Sequence, residues 1–328
     1  MRIKAVGSIF LLASALLSCT PDEQPDYTPT AYDLKIPKGF PAMEIPDDNP
    51  MTVEGIELGR MLYYDSILDQ NQSRACATCH VQEHSFTSVP DVLPHVNLGW
   101  SYNWLWKGDV QGSLEDIMEF EVQHFFFTNL DNLKSDAAYL GLFKKAFGTD
   151  EITYQHIEMA LAQFLRTLNS GNAKFDKVQR GEAQFTNQEN LGFELFFTER
   201  GDCFHCHATA FFTDGQLHNN ALDTDPDPGH FDISGDPLDF GKYKSPTLRN
   251  IEYTAPYMHD GRFATLEEVV NFYSEGLQPS PTVDPLMKQL SNGGVQLSED
   301  EKAALVAFLK TLSDEEFVQN PEFSRNTQ

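Results

Sequence analysis

Two short runs, Cys76-Ala77-Thr78-Cys79-His80 and Cys203-Phe204-His205-Cys206-His207, constrain this chain more than anything else in it. C-x-x-C-H is the attachment pattern of c-type haem. Each thiol forms a thioether to a haem vinyl group, and the adjoining imidazole falls beneath the iron. The spacing is short because both cysteines and the histidine must reach one face of a single macrocycle. A zinc half-site would need two further ligands at similar spacing, and a redox C-x-x-C pair has no use for the histidine. Four of the five cysteines lie in these pentads and the fifth is Cys19. No disulfide framework is therefore expected.

A chain of 328 residues has room for two domains. Its formal net charge of -26 argues against nucleic acid as a partner. The same charge suits a small basic electron-donor protein. At the N-terminus, Arg2 and Lys4 precede an apolar run from Ala5 to Leu17 that is too short to span a bilayer. The run closes with Leu16-Leu17-Ser18-Cys19, which resembles a bacterial lipoprotein signal. That resemblance implies removal of residues 1–18 and lipidation of Cys19. Residues 19–50 are then read as a lipidated N-terminus and acidic, Pro-rich tether. The globular part is expected in the periplasm or another extracytoplasmic space, with a lipid anchor as its membrane contact.

Glu57-Leu58-Gly59-Arg60-Met61-Leu62-Tyr63-Tyr64 precedes the first pentad, and Asn190-Leu191-Gly192-Phe193-Glu194-Leu195-Phe196-Phe197 precedes the second. Leu-Gly, then Leu and two aromatics, recur at the same internal spacing, and both segments carry a helical apolar stripe. This internal repeat of helix, loop and pentad predicts two related domains, 51–175 and 176–328. Helices are also expected over Leu114 to Phe127 and Ile152 to Leu168. A long surface loop is expected over Asn219 to Gly241. Thr265 is expected to cap one late helix, and Ser298 with Glu301 to form a capping box for the last. Strand signals are few, so the fold class is mainly α.

The pentads, together with Ser245-Pro246-Thr247-Leu248-Arg249-Asn250 and Thr254-Ala255-Pro256-Tyr257-Met258-His259-Asp260-Gly261, make the chain resemble the bacterial dihaem cytochrome c peroxidase family, including MauG. The resemblance covers roughly Thr52 to Asp314. It implies two cytochrome c-like α domains and two covalent haems c. Haem 1 would be held by Cys76, Cys79 and His80 and would meet hydrogen peroxide. Haem 2 would be held by Cys203, Cys206 and His207 and would receive electrons from a cytochrome c or cupredoxin.

The family's second ligand to haem 2 falls here on Tyr273, with Met258 as the alternative. A thioether raises the haem potential, whereas a phenolate favours the ferric state. Trp106-Lys107-Gly108 stands where the family has Trp-Asp-Gly, so Trp106 inherits an inter-haem electron relay. Trp100 and Trp104 are read as packing. The family's peroxide-side glutamate would fall near Phe126-Phe127, where there is no carboxylate. Glu121 or His124 would take its role if the helix register slips by a turn, while Glu115, Asp116 and Glu119 are read as a solvated face. The distal position of haem 1 stays open between a loop histidine and no ligand, with His84 and His95 both expected at the surface. Thr254 and Pro256 match positions that hold a calcium ion through backbone carbonyls, and a homodimer is allowed for. A non-enzymatic electron-transfer cytochrome and a MauG-like oxidase of a partner protein stand as alternatives.

Overall fold

The computed structural model describes residues 27–88 and 92–325. The leader, Cys19 and residues 20–26 of the expected tether lie outside the described residues. The longer helices are α1 (Val53–Tyr64), α2 (Leu114–Phe120), α3 (Ala137–Phe147), α4 (Tyr154–Leu165), α5 (Asn187–Phe196), α6 (Leu266–Glu275) and α7 (Glu299–Lys310). Two antiparallel ribbons accompany them. β1 (Asn103–Trp104) pairs with β2 (Val110–Gln111), and β3 (Leu217–His218) with β4 (Tyr243–Lys244). The fold is thus helix-rich with few strands. The cap expected at Thr265 and the capping box expected at Ser298 with Glu301 are both formed, and Glu268 completes a box at Thr265 as well. No helix among the described residues is long and apolar enough to cross a membrane.

The sequence repeat has a packing cause. Helix α1 lies against α4, and α5 lies against α7. A Cβ on Gly59 would stand 1.9 Å from the Ala160 carbonyl oxygen, and one on Gly192 would stand 2.0 Å from that of Ala304. Phe164 and Phe308, one turn beyond those carbonyls, press on the same two glycines. Each Leu-Gly therefore marks the crossing point of one of two equivalent helix pairs, where only glycine lets the backbones meet.

Around these pairs lie two main apolar clusters, one drawn from Leu58 to Leu168 and one from Leu195 to Leu312. The chain end does not keep to the second. Phe317, Val318 and Phe323 pack into the first cluster. Gln82 Nε2 donates to the Asn320 carbonyl at 2.7 Å, and the Tyr64 hydroxyl donates to that of Phe323 at 2.9 Å.

Three further segments depart from the sequence reading. Residues 27–50, expected as tether, lie along the fold: Thr30 N–H donates to Glu54 at 3.0 Å, and the Phe40 ring sits between Trp100 and Phe211 at 5.4 and 5.0 Å. Aromatic burial outweighs the solvating effect of the acidic neighbours. The 219–241 loop is anchored because Ala221 and Leu222 are buried with Phe272 and Leu277 in a third, small cluster. The helix expected over 114–127 leaves α geometry after Phe120 and continues as a π-helical turn, Glu121–Phe125. Such a widened turn rotates every later side chain around the axis.

The two halves are stitched by their ribbons. Lys244 N–H donates to the Trp106 carbonyl at 2.8 Å, Asn103 Nδ2 to Gly215 at 2.9 Å and His230 Nδ1 to Lys107 at 2.6 Å.

Candidate functional site

Both pentads are built alike. Cys76–Cys79 form one helical turn, closed by His80 N–H donating to the Cys76 carbonyl at 2.9 Å. In the second, His207 N–H donates to the Cys203 carbonyl at 3.1 Å. His80 Nδ1 donates to the Phe86 carbonyl at 2.8 Å, and His207 Nδ1 to that of Phe212 at 3.1 Å. Each imidazole is thereby fixed as the tautomer whose Nε2 lone pair is free for a metal. Phe86 and Phe212 hold left-handed backbone, at φ 59° and 52°. That conformation is costly for a bulky residue. Both rings are fully buried, so the core holds the strain that aims the two carbonyls.

Each pentad opens on a cavity. The one at His80 has a volume of about 680 Å³ and is walled by Cys76, Cys79, His95, Glu121 and Trp106. The one at His207 has a volume of about 220 Å³, and Cys203, Cys206, Tyr273, Met258 and Trp106 face it. None of the four pentad cysteines is in a disulfide. Burial pushes the Cys76 and Cys203 thiols up, the latter to about 12, and the Glu121 charge adds to the effect at Cys76. Neutral thiols on apolar walls suit thioether attachment and not a zinc thiolate site. The Trp106 indole N–H, shared by both cavities, is buried without an acceptor. The donor sets therefore fit haem c at both places.

In the first cavity, Glu121 is brought to the wall by the π-helical turn, and burial alone lifts its carboxyl from 4.5 to about 7. No described group hydrogen-bonds to that carboxylate. The same turn sends His124 outward: it is exposed, 5.9 Å ring to ring from Phe120, and the structure does not bring it to the cavity. Phe126 lines the cavity and Phe127 is exposed, so neither position supplies a proton carrier. His84 is at the surface as expected, but His95 is not. Its ring stacks on His80 at 3.4 Å, with the Tyr63 hydroxyl 3.1 Å from its Nδ1. Face-to-face rings do not point two nitrogens at one metal from opposite sides, so His95 in this position is a neighbour of His80 and not a ligand opposite it. Glu115 leaves the expected solvated face for a two-pronged pair with Arg166, both bonds 2.7 Å, and Asp116 caps α2 through Ser113.

In the second cavity, α6 carries Tyr273 inward, and burial pushes its phenol to about 12. Asn220 Nδ2 donates to the phenolic oxygen at 3.0 Å and lies 3.7 Å from Met258 Sδ, so one amide touches both candidate ligands. His259 stacks on Tyr243 at 3.7 Å and meets Trp106 edge-on at 6.5 Å. His218 also lines this cavity. Burial would lower its pKa, but bonds of 2.8 and 2.7 Å to Asp214 and Asp284 outweigh it and raise it to about 11. Both of its ring nitrogens are engaged by those two carboxylates. The Thr254 hydroxyl donates to the Ile251 carbonyl, and neither Thr254 nor Pro256 belongs to a carboxylate or imidazole cluster among the described residues. Trp104 and Trp100 give their N–H groups to the Gly112 and Pro41 carbonyls, as packing residues do. Asn220 and the in-cavity place of His95 had no local sequence signal. The Phe86 and Phe212 carbonyls had one, a phenylalanine six or five residues past each pentad histidine.

Residues 53–184 match the family model of the di-haem cytochrome c peroxidases. The methylamine utilization protein MauG of Methylorubrum extorquens is 34% identical over 292 residues, covering 82% of this chain and 81% of that protein. The cytochrome-c peroxidase IdrP2 of Denitromonas iodatirespirans is 29% identical over 321 residues, covering 83% of this chain and 84% of that protein. A solved MauG-like protein associated with microbial copper homeostasis aligns with a TM-score of 0.82 at 34% identity, over 90% of this chain and 99% of that one. The diheme peroxidase BthA from Burkholderia thailandensis has the same fold, with a TM-score of 0.67 at 18% identity over 88% of this chain and 94% of that one.

Proposed function

Because the chain belongs to the di-haem cytochrome c peroxidase family, with MauG among its relatives, and is a peroxidase-like oxidoreductase, we propose that it reduces hydrogen peroxide to water with two electrons from a small donor protein such as a cytochrome c or cupredoxin. The haem c held by Cys76, Cys79 and His80 supplies the iron at which the O–O bond is broken. Glu121 takes a proton from the incoming peroxide and returns it to the departing oxygen, which needs a group that is neither always charged nor always neutral near pH 7. Electrons enter on the His207 side, and Trp106, common to both cavities, is their relay. The observation that carries this reading is Glu121, a carboxyl with no partner among the described residues, on the wall of the His80 cavity.

The test is steady-state peroxide consumption by the purified dihaem protein with a reduced donor, before and after one haem is pre-reduced. Turnover well above that of free haem is expected. No turnover, with two reversibly reducible haems per chain, would sink the reading.

Tyr273 favours a second reading, oxidation of a partner protein in the manner of a MauG-like enzyme. A phenolate on the second iron favours its ferric state. Tyr273→Met is expected to raise that haem's potential by a measurable part of the about 0.8 V that axial ligands span. A redox titration with the electronic spectrum checks it, and an unchanged potential and spectrum would leave Met258 as the ligand. We further propose an extracytoplasmic protein lipid-anchored at Cys19, which the mass of the N-terminal peptide tests. Calcium at the Thr254 and Pro256 carbonyls is tested by metal analysis of the dialysed holoprotein.

A further inference from the structure

Between the two cavities stands a cation with no anion. Lys244, on β4, lines both. Its side chain is half-buried, and loss of solvent around the ammonium lowers its pKa to about 8. Its Nζ donates to the Asn103 carbonyl at 2.5 Å and lies 5.8 Å over the Trp104 ring. No described carboxylate is within 4.0 Å of it, although the chain carries 49 acidic residues to 23 basic ones. Other lysines, such as Lys107, Lys174 and Lys242, are ion-paired, and so is the buried Lys302. Beside it, the Trp106 indole N–H is buried without an acceptor. The two residues are tied together by the bond from Lys244 N–H to the Trp106 carbonyl, 2.8 Å.

A desolvated ammonium without a counter-charge is unfavourable, and a fold keeps one where a bound group brings the opposite charge. We propose that Lys244 and the Trp106 indole N–H form a carboxylate seat between the two haem cavities, and that it receives a haem propionate. A propionate suits the site because it is the anionic part of a macrocycle whose thioethers and proximal histidine already place it in the cavity. The ammonium neutralises that carboxylate and favours the reduced iron beside it. Lys244 is accordingly a positioning and potential-setting residue at the point where Trp106 would pass electrons. This inference rests on the dihaem reading.

The experiment compares holoprotein with Lys244→Met and Lys244→Arg, reading haem content and the midpoint potential of each haem. Two haems per chain, a downward shift of one potential in the Met variant, and a value near wild type in the Arg variant are expected. The haem that shifts identifies whose propionate is held. Fewer than two haems in the unmutated protein would defeat the dihaem reading itself. Two haems with both potentials unchanged in the Met variant, or equal shifts in both variants, would overturn the Lys244 assignment alone. If the Met variant does not fold, resonance Raman of the unmutated protein decides. A propionate bending mode that shifts in D2O is expected, and no deuterium shift overturns the proposal.

Discussion

Glu121→Gln is expected to slow peroxide turnover by about 10²–10⁴-fold, the range for loss of a positioned acid/base group, while both haems stay attached. Glutamine keeps the shape and polarity of the side chain but cannot exchange a proton. The expectation follows from position: the π-helical turn places Glu121 on the cavity wall and leaves His124 exposed. The pH profile carries a second signature. With its carboxyl raised from 4.5 to about 7 by burial, Glu121 becomes a base only as pH rises through about 7. The rising limb near that value should vanish in the glutamine variant. Stability has the opposite sign. Between about 4.5 and 7 the folded chain holds a proton that the unfolded chain has released, so stability falls as pH climbs through that window. The same Glu121→Gln substitution should remove that slope in denaturant titrations at several pH values. Unchanged turnover with both haems loaded would move the proton-carrying role to another group.

Arg249→Met is expected to destabilise the protein by about 3–5 kcal/mol, the cost of breaking a buried ion pair from one side. Arg249 is 1% exposed and grips Asp176 with two bonds of 2.9 and 3.0 Å. Its Nε donates to the Ala210 carbonyl at 2.7 Å, and the guanidinium lies over the Phe40 and Phe212 rings at 4.7 and 5.7 Å. Methionine leaves Asp176 buried and unpaired. Since the Phe212 carbonyl orients His207, the spectrum of the second haem should change with the stability. Denaturant unfolding of the holoprotein measures the loss, and adding Asp176→Asn should recover part of it by removing the stranded charge. A loss below about 1 kcal/mol would class the pair with ordinary surface bridges.

The C-x-x-C-H pentads, the repeat that precedes them and the two late helix caps were legible in the sequence because each is a relation among residues a few positions apart. Cys76, Cys79 and His80 share one turn whatever the rest of the chain does. The Leu-Gly repeat encodes a close helix crossing that any partner must respect. Tertiary structure alone decided that Glu121 faces the cavity and His124 does not, because a single widened turn reset the helical register. It alone moved His95 from an expected surface onto His80 and Glu115 from a solvated face onto Arg166. It alone joined Arg249 to Asp176, Asn220 to Tyr273 and the chain end to the first core. Those pairings span tens to hundreds of residues, and their partners are selected by which surfaces become buried together. Local covalent spacing thus determined the two C-x-x-C-H pentads, whose donors fit haem c. The cavity walls around them came from burial, which no local pattern records.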